Sequence, residues 1–226
     1  MHAGSLYRMR WFVMTFLLQV QFDNNKRSVL DVGSFDENGS YKQFFPESLF
    51  AYTGLDMEAG PNVDVVPANT YSWTELADES FDVVISGQAF EHAEFFWVTM
   101  TEIARVLKKG GFICIIAPRD FYRHRHPVDC YRFDTDGMIA LAKYANLDVI
   151  HASCDLAPPD APSEWYDPIC KDSMLVAMKP IMWDGILNPK EYTFRNNDIV
   201  ELATGFITQE EKIIALEEKL RKMSGL

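Results

Sequence analysis

Apolar residues along this chain first recur at helical spacing and then gather into short runs, and the switch between the two marks out its elements. Leu6, Met9, Val13, Phe16, Leu17 and Val20 follow one another at three- and four-residue spacing behind Ser5, a candidate cap. That pattern predicts an amphipathic helix covering one edge of a sheet. From residue 28 the pattern changes to short apolar runs bounded by turn residues: 28–33 (SVLDVG), 52–56 (YTGLD), 63–66 (VDVV), 82–86 (DVVIS) and 111–118 (GFICIIAP). Each reads as a buried strand. Between the last two, Phe96, Met100, Ile103 and Leu107 share a helix face. Lys108, Lys109 and Gly110 then supply a stop, with cations at the negative end of the helix dipole and a glycine cap. Strand and helix alternate, which predicts a mostly parallel sheet with ligands at the carboxyl ends of its strands.

Past Pro118 runs a polar, histidine-rich segment, 119–134, longer than an ordinary strand-to-helix connection. Met138, Leu141, Ala142 and Ala145 predict a further helix capped by Asp134 or Thr135. Residues 147–153 and 173–178 read as the last two of about seven strands, with a proline-rich loop at 157–168 between them. In the tail, Ile213, Leu216, Leu220 and Met223 form a two-heptad seam, equally a surface helix or a homodimer contact. The expected organisation is an N-terminal helix (1–27), an α/β Rossmann-like doubly wound domain (28–180) and a C-terminal helical extension (181–226).

Composition narrows the partners. At 226 residues the chain holds one domain of roughly 150 residues plus attachments. Its 48% hydrophobic and 24% charged residues place it among globular proteins. The net charge of −12 has the wrong sign for gripping a phosphate backbone, so nucleic acid is not expected as a partner. Cys114, Cys130, Cys154 and Cys170 show neither a C-x-x-C pair nor finger-like spacing with histidine, and read as reduced, packing thiols. Arg8 and Arg10 precede an apolar stretch, 11–18, but no small-residue cleavage site follows and eight residues cannot span a bilayer. The expectation is a soluble, cytoplasmic protein without a membrane partner.

The first strand and turn, VLDVGSFDENGS (29–40), lack the G-x-G-x-x-G of dinucleotide sites because Phe35 stands where the second glycine is needed. The chain instead resembles the class I S-adenosylmethionine-dependent methyltransferases, type 11-like. Four ordered motifs carry the resemblance: VLDVGS (29–34), LDMEAG (55–60), SFDVVISGQAFEH (80–92) and RVLKKGGFICIIAP (105–118). Within that family it is similar to a bacterial subgroup with DVGS…NGSY (31–41) and HPVDCYRF (126–133) motifs. Asp36, Glu37 and Asn38 space Gly33 and Gly39 further apart than in the wider family.

The resemblance implies S-adenosylmethionine as cofactor and S-adenosylhomocysteine as product. Its first motif implies cofactor contacts from Asp31, Gly33, Ser34 and Gly39. Asp31 suits the cofactor's amino group, directly or through water, and Gly33 keeps Cβ atoms out of the way. Asp56, 25 positions after Asp31, suits the two ribose hydroxyls, and Met57 the adenine face. Asn69 is a candidate for the adenine edge, and Gly87 with Gln88 for the methionine end; both amides read equally as solvent-facing loop residues.

Methyl transfer to a hydroxyl needs a base. His92, after Glu91 past the fourth strand, is one candidate. His126 is the other, with Asp129 orienting a histidine and Glu91, His124, Tyr131 and Arg132 toward the substrate; an Asp129–Arg132 ion pair is the equal alternative. Residue types at His124, His126 and Asp129 suit a metal, but an H-x-H without a rigid element beneath it assigns none. After the fourth strand stands SGQAF, not the Pro-Pro-aromatic signature of nucleobase amine methylation. The expected function is O-methylation of a small-molecule, sugar, glycan or natural-product acceptor. The alternative is a methyltransferase-like binding or scaffold module with a vestigial cofactor pocket and a partner-binding tail helix.

Overall fold

Side-chain alternation along the strands sorts the sheet into two apolar faces, and each face calls for its own cover. In the computed structural model, residues 2–18, 25–154 and 171–188 are described. Of the chain's two units, Met1–Pro189 contains all of them, and Lys190–Leu226 lies outside. So do Val20, the proline-rich stretch 157–168, Cys170 and the heptad seam 213–223.

Six strands form one sheet: β1 (Arg27–Val32), β2 (Phe50–Leu55), β3 (Phe81–Gly87), β4 (Leu107–Asp120), β5 (Asp148–Cys154) and β6 (Lys171–Met178). Their order is β2-β1-β3-β4-β6-β5. β1 to β4 pair in parallel, and β6 runs antiparallel to both β4 and β5. One face presents Leu30, Val32, Val84, Ile113, Ile115 and Leu175 to α2 (Phe96–Val106) and α3 (Thr135–Tyr144). The other presents Val29, Val83, Ile85, Cys114, Ile116 and Val176 to α1 (Ala3–Phe12) and the π turn Val13–Leu17 that continues it.

α1 carries no side-chain cap, and its cohesion comes from packing. Met9, Phe12, Val13, Phe16 and Leu17 are all buried, at roughly 1.5–3 kcal/mol for each such side chain. The helix therefore lies on a face of the sheet and not along an edge. Ser5 is not its cap. Its hydroxyl, fully buried inside the helix, shares a 2.5 Å hydrogen bond with the Tyr41 hydroxyl.

The expected strand at 63–66 is reduced to a single bridge, Val65 to Leu55. Asp64 and Val65 both donate to the Gly54 carbonyl, but Pro61 and Pro67 close in on either side, and a proline has no N–H to extend a ladder. Six strands, not seven, stand among the described residues. The helix before β4 also ends earlier than its apolar face suggests. Leu107 is taken into the sheet opposite Phe81, and residues 108–111 bulge out before Phe112 pairs with Val83. Lys108 thus clamps Asp82 at 2.9 Å in the sheet, and Gly110 adopts φ 79° within the bulge. Asp134 caps α3 by accepting the Thr135 N–H. Cys114 is buried, whereas Cys130 is exposed and does not pack as expected; both are free, as is Cys154. Among the described residues no helix is long and apolar enough to cross a membrane.

A fully buried lysine closes the end of α2. Lys179 donates to the Ala104 and Leu107 carbonyls at 2.8 and 2.7 Å and lies 4.0 Å from the centre of the Trp183 ring. Those carbonyls have no helical partner of their own, and a cation suits the negative end of the helix. Lys179→Met, which leaves both carbonyls without this donor, is expected to lower stability by about 2–3 kcal/mol in urea unfolding. An unchanged midpoint would show that water replaces the ammonium group.

Candidate active site

The carboxyl ends of β1, β2 and β3 and the segment after β4 gather most of the sequence-predicted site residues. Asp31 is nearly the last residue of β1 and belongs to the face under α1, being two residues on from Val29. It is 2% exposed. The Tyr52 hydroxyl donates to its Oδ2, while Oδ1 has no hydrogen-bond partner. Burial is the main cause that pushes this carboxyl up to about 7; the Tyr52 hydrogen bond opposes the shift and the Asp56 charge adds to it.

Gly33 follows at φ 81°, and a Cβ there would collide with the Ala89 methyl, so both conformation and contact require glycine. Ser34 turns its hydroxyl toward Gly54, where it finds no hydrogen-bond partner. Phe35 explains how the chain manages without a second glycine. Its ring lies on Gly60, and its N–H donates to Asp56 Oδ2 at 3.0 Å, tying the loop after β1 to the loop after β2. Asp56 Oδ1 receives the Glu58 N–H at 3.4 Å, and Met57 beside it is exposed. Gly39 takes φ 115° and donates to Asp36 Oδ1 at 2.7 Å. Asn69 is exposed and accepts the Tyr71 N–H, an Asx turn.

Under α1 lies a polar group that the sequence pattern did not reveal. Gly87, at the end of β3, has no room for a Cβ because the Tyr41 ring and hydroxyl fill that space. Gln88, at φ 59°, donates to Asp172 Oδ1 at 3.1 Å and reaches toward Ser5. Asp172, fully buried at the start of β6, also faces His2 at 3.1 Å and Arg8 at 3.7 Å. The only sequence signal for Asp172 was a charge at the head of the apolar run SMLVAM. Its partners lie 84 to 170 positions away and come together only through the sheet order.

The histidine-rich segment folds back on the turn after β3. The Cys130 and Tyr131 N–H groups both donate to the Glu91 carbonyl. Glu91 is fully buried, and neither carboxylate oxygen has a hydrogen-bond partner. Burial, first of all, raises its pKa to about 8. His92 Nδ1 meets the Val128 carbonyl at 2.6 Å, and its Nε2 lies 3.6 Å from Glu91 Oε1. Its pKa is lowered, mainly by burial. His124 points its Nε2 at the same oxygen, 3.8 Å away.

Asp129 and Arg132 pair with each other through both oxygens, at 2.5 and 2.9 Å. Arg132 also donates to the Phe121 and Tyr122 carbonyls, and its hydrogen bonds hold Asp129 far below the ordinary carboxylate range. Asp129 faces His124, accepting its N–H at 2.7 Å, and not His126. His126 stands at the exposed rim, its Nε2 3.4 Å from Glu37 Oε1 in the loop after β1. Tyr131 donates to the Glu94 carbonyl.

Comparison with known proteins bears on what this arrangement is. Residues 39–115, covering β2, β3, α2 and the first part of β4, match the sequence profile of a methyltransferase domain. No curated protein matches the chain. Among solved structures it is similar to an S-adenosylmethionine-dependent methyltransferase from Archaeoglobus fulgidus (TM-score 0.55, 15% identity, 77% of this chain and 92% of that one). It is similar to the 1,6-didemethyltoxoflavin N1-methyltransferase of Burkholderia thailandensis, solved with its substrate and S-adenosylhomocysteine (0.56, 15%, 78% of each chain). The [4+2]-cyclase SpnF has the same fold (0.57, 13%, 78% and 82%), so the fold alone does not fix the reaction. Residues 39–115 thus match a methyltransferase domain, and the six-stranded sheet that carries them has the class I methyltransferase fold.

Proposed function

We propose that this chain is an S-adenosylmethionine-dependent methyltransferase that transfers the methyl group to an oxygen of a small hydroxylated acceptor of the sugar, glycan or natural-product type. The matched domain and the neighbour solved with S-adenosylhomocysteine support the cofactor. The observation that carries the reading is Asp31 Oδ1, a buried carboxylate oxygen without a partner at the carboxyl end of β1. A cation or a donor is what such an oxygen lacks, and the ammonium group of S-adenosylmethionine is both. Asp56 Oδ1, with its one long N–H contact, suits a ribose hydroxyl, and exposed Met57 an adenine face.

When bound, the cofactor supplies an electrophilic methyl carbon on a sulfonium. The chain's part is to hold an acceptor oxygen in line and take its proton. Two features favour His126 over His92 for that proton. His126 is 63% exposed on the rim beside the loop after β1, with Glu37 to support the charge it gains. His92 Nε2 is instead turned inward to Glu91. His92 and Asp129 thus serve the reading as supports of the rim.

One observation favours the second reading, a binding or scaffold module. Phe35 closes the loop after β1 onto Gly60 and Asp56 with the protein's own atoms. Calorimetric titration with S-adenosylhomocysteine separates the two, and saturable binding by folded protein is expected. No heat of binding at millimolar ligand would sink the enzyme reading in favour of the module.

Asp31 gives that titration a pH signature. The ammonium group pairs with the ionised carboxylate, so protonation competes with binding below about 7. Affinity is expected to fall about fivefold from pH 7 to pH 6 and to approach tenfold per unit below that, and Asp31→Asn should bind weakly with a flat profile. In the unliganded protein the sign reverses. The unfolded carboxyl titrates near 3.8 and the folded one near 7, so stability falls as pH rises across that window. Asp31→Asn should reduce that slope in thermal melts, leaving the part that Glu91, raised to about 8, contributes with the same sign.

His126→Ala is expected to lower turnover about 100-fold or more in an S-adenosylhomocysteine release assay against hydroxylated sugars, with cofactor affinity within about twofold. Equal losses in both would remove His126 from the role of base.

A further inference from the structure

The methyl-transfer reading leaves one buried group unused, the Glu91 carboxylate. It is fully enclosed, and both of its oxygens lack hydrogen-bond partners, an arrangement that is costly unless a cation or proton occupies the same space. Two imidazoles are aimed at it. His92 Nε2 stands 3.6 Å and His124 Nε2 3.8 Å from Oε1, and the three ligand atoms all lie within 4.8 Å of one another.

These separations are too long for hydrogen bonds and close to what a shared ion needs. Ligand atoms about 2.1 Å from a common centre at the tetrahedral angle stand ~3.4 Å apart. The outer nitrogens of both rings are engaged as well. His92 Nδ1 meets the Val128 carbonyl at 2.6 Å; His124 Nδ1 meets the Tyr122 carbonyl at 3.2 Å and faces Asp129 Oδ2 at 3.6 Å. An Nδ1–H donated outward leaves the lone pair on Nε2, the tautomer a metal requires, and a carbonyl or carboxylate behind a histidine is the usual outer support of such a ligand. The platform is anchored too. Glu91 and His92 sit on the short 3-10 turn Phe90–His92 after β3, and His124 is held by its N–H to Asp129, which Arg132 grips in turn.

We propose that Glu91, His92 and His124 form a site for a divalent transition-metal ion of the zinc class. Two neutral imidazoles and one carboxylate carry a net charge of −1, suited to such a cation, and three protein ligands leave a fourth position for water or an acceptor oxygen. The ion would cross-link the turn after β3 to the segment after β4, two parts of the rim that the sequence separates by 31 residues between His92 and His124.

Zinc chloride titrated into chelator-treated full-length protein tests the site, and cobalt(II) in place of zinc reports geometry through its visible absorption. One equivalent is expected to bind with a rise in melting temperature, and cobalt is expected to give the intense bands of a four-coordinate ion. His124→Ala, on the more exposed segment, should weaken zinc binding by about 100-fold or more, and Glu91→Gln, nearly isosteric, should do likewise. Cys130→Ser and His126→Ala, which alter neighbours outside the triad, should retain it. Failure of the wild-type protein to bind zinc in competition with a chelator, or unchanged affinity in a folded His124→Ala protein, overturns the proposal. The readout is metal binding alone, so it stands whether or not a methyl acceptor is found.

Discussion

A carboxylate taken out of water must be met by a donor, a cation or a proton, and at the carboxyl end of this sheet the fold removes three of them. Asp31, Asp172 and Glu91 are each no more than 2% exposed. The chain meets them unequally. Asp172 is ringed by Gln88, His2 and Arg8, so that α1 is bound to β6 through charge as well as through its apolar face. Asp31 receives one hydroxyl, from Tyr52, and keeps one oxygen unmatched. Glu91 has two imidazoles near it at more than hydrogen-bond distance. The unmet part of this demand is what the proposed cofactor contact at Asp31 and the proposed metal site at Glu91 would satisfy.

The apolar framework makes such burial sustainable. Strand alternation assigns Val29 and Asp31 to one face and Leu30 and Val32 to the other, so the polar residue at the end of β1 arrives under α1 with the same register that packs Val29. Tyr52 reaches Asp31 because the parallel register sets Asp31 opposite Gly54, two residues on from Tyr52 and on the same face. Glycine at 54 serves the same junction. A side chain there would strike the Asn62 carbonyl, which belongs to the segment that takes the place of an additional edge strand.

The segment after β4 shows how a long polar loop can acquire a definite shape. Its backbone donates twice to the Glu91 carbonyl, Asp129 and Arg132 staple it internally, and Phe133 N–H returns to the Pro118 carbonyl. Asp129 and Arg132 are spent on each other, while the histidines of this region turn to other carboxylates. They divide by depth: His92 and His124 turn inward to Glu91, while His126 stays at the surface against Glu37.

The sequence by itself determined where most of the elements lie. Short apolar runs bounded by turn residues located β1, β3, β4 and β6, apolar positions three and four apart located α2 and α3, and the ordered motifs pointed to Asp31, Gly33 and Asp56 as candidates. These are local properties, set by backbone geometry over a few residues, and so they are legible in one dimension. Where a segment's fate depended on a distant partner, local pattern was insufficient. Leu107 left its helix face because Phe81 needed a neighbour, VDVV shrank to one bridge between two prolines, and Ser5 exchanged a capping role for Tyr41. The partners of Asp172, the meeting of Glu91 with His124, and the separation of His126 from Asp129 were decided only by the tertiary structure. Sheet order and loop return bring together side chains tens of residues apart, and it is burial, a property of the assembled molecule, that makes an unpaired carboxylate significant.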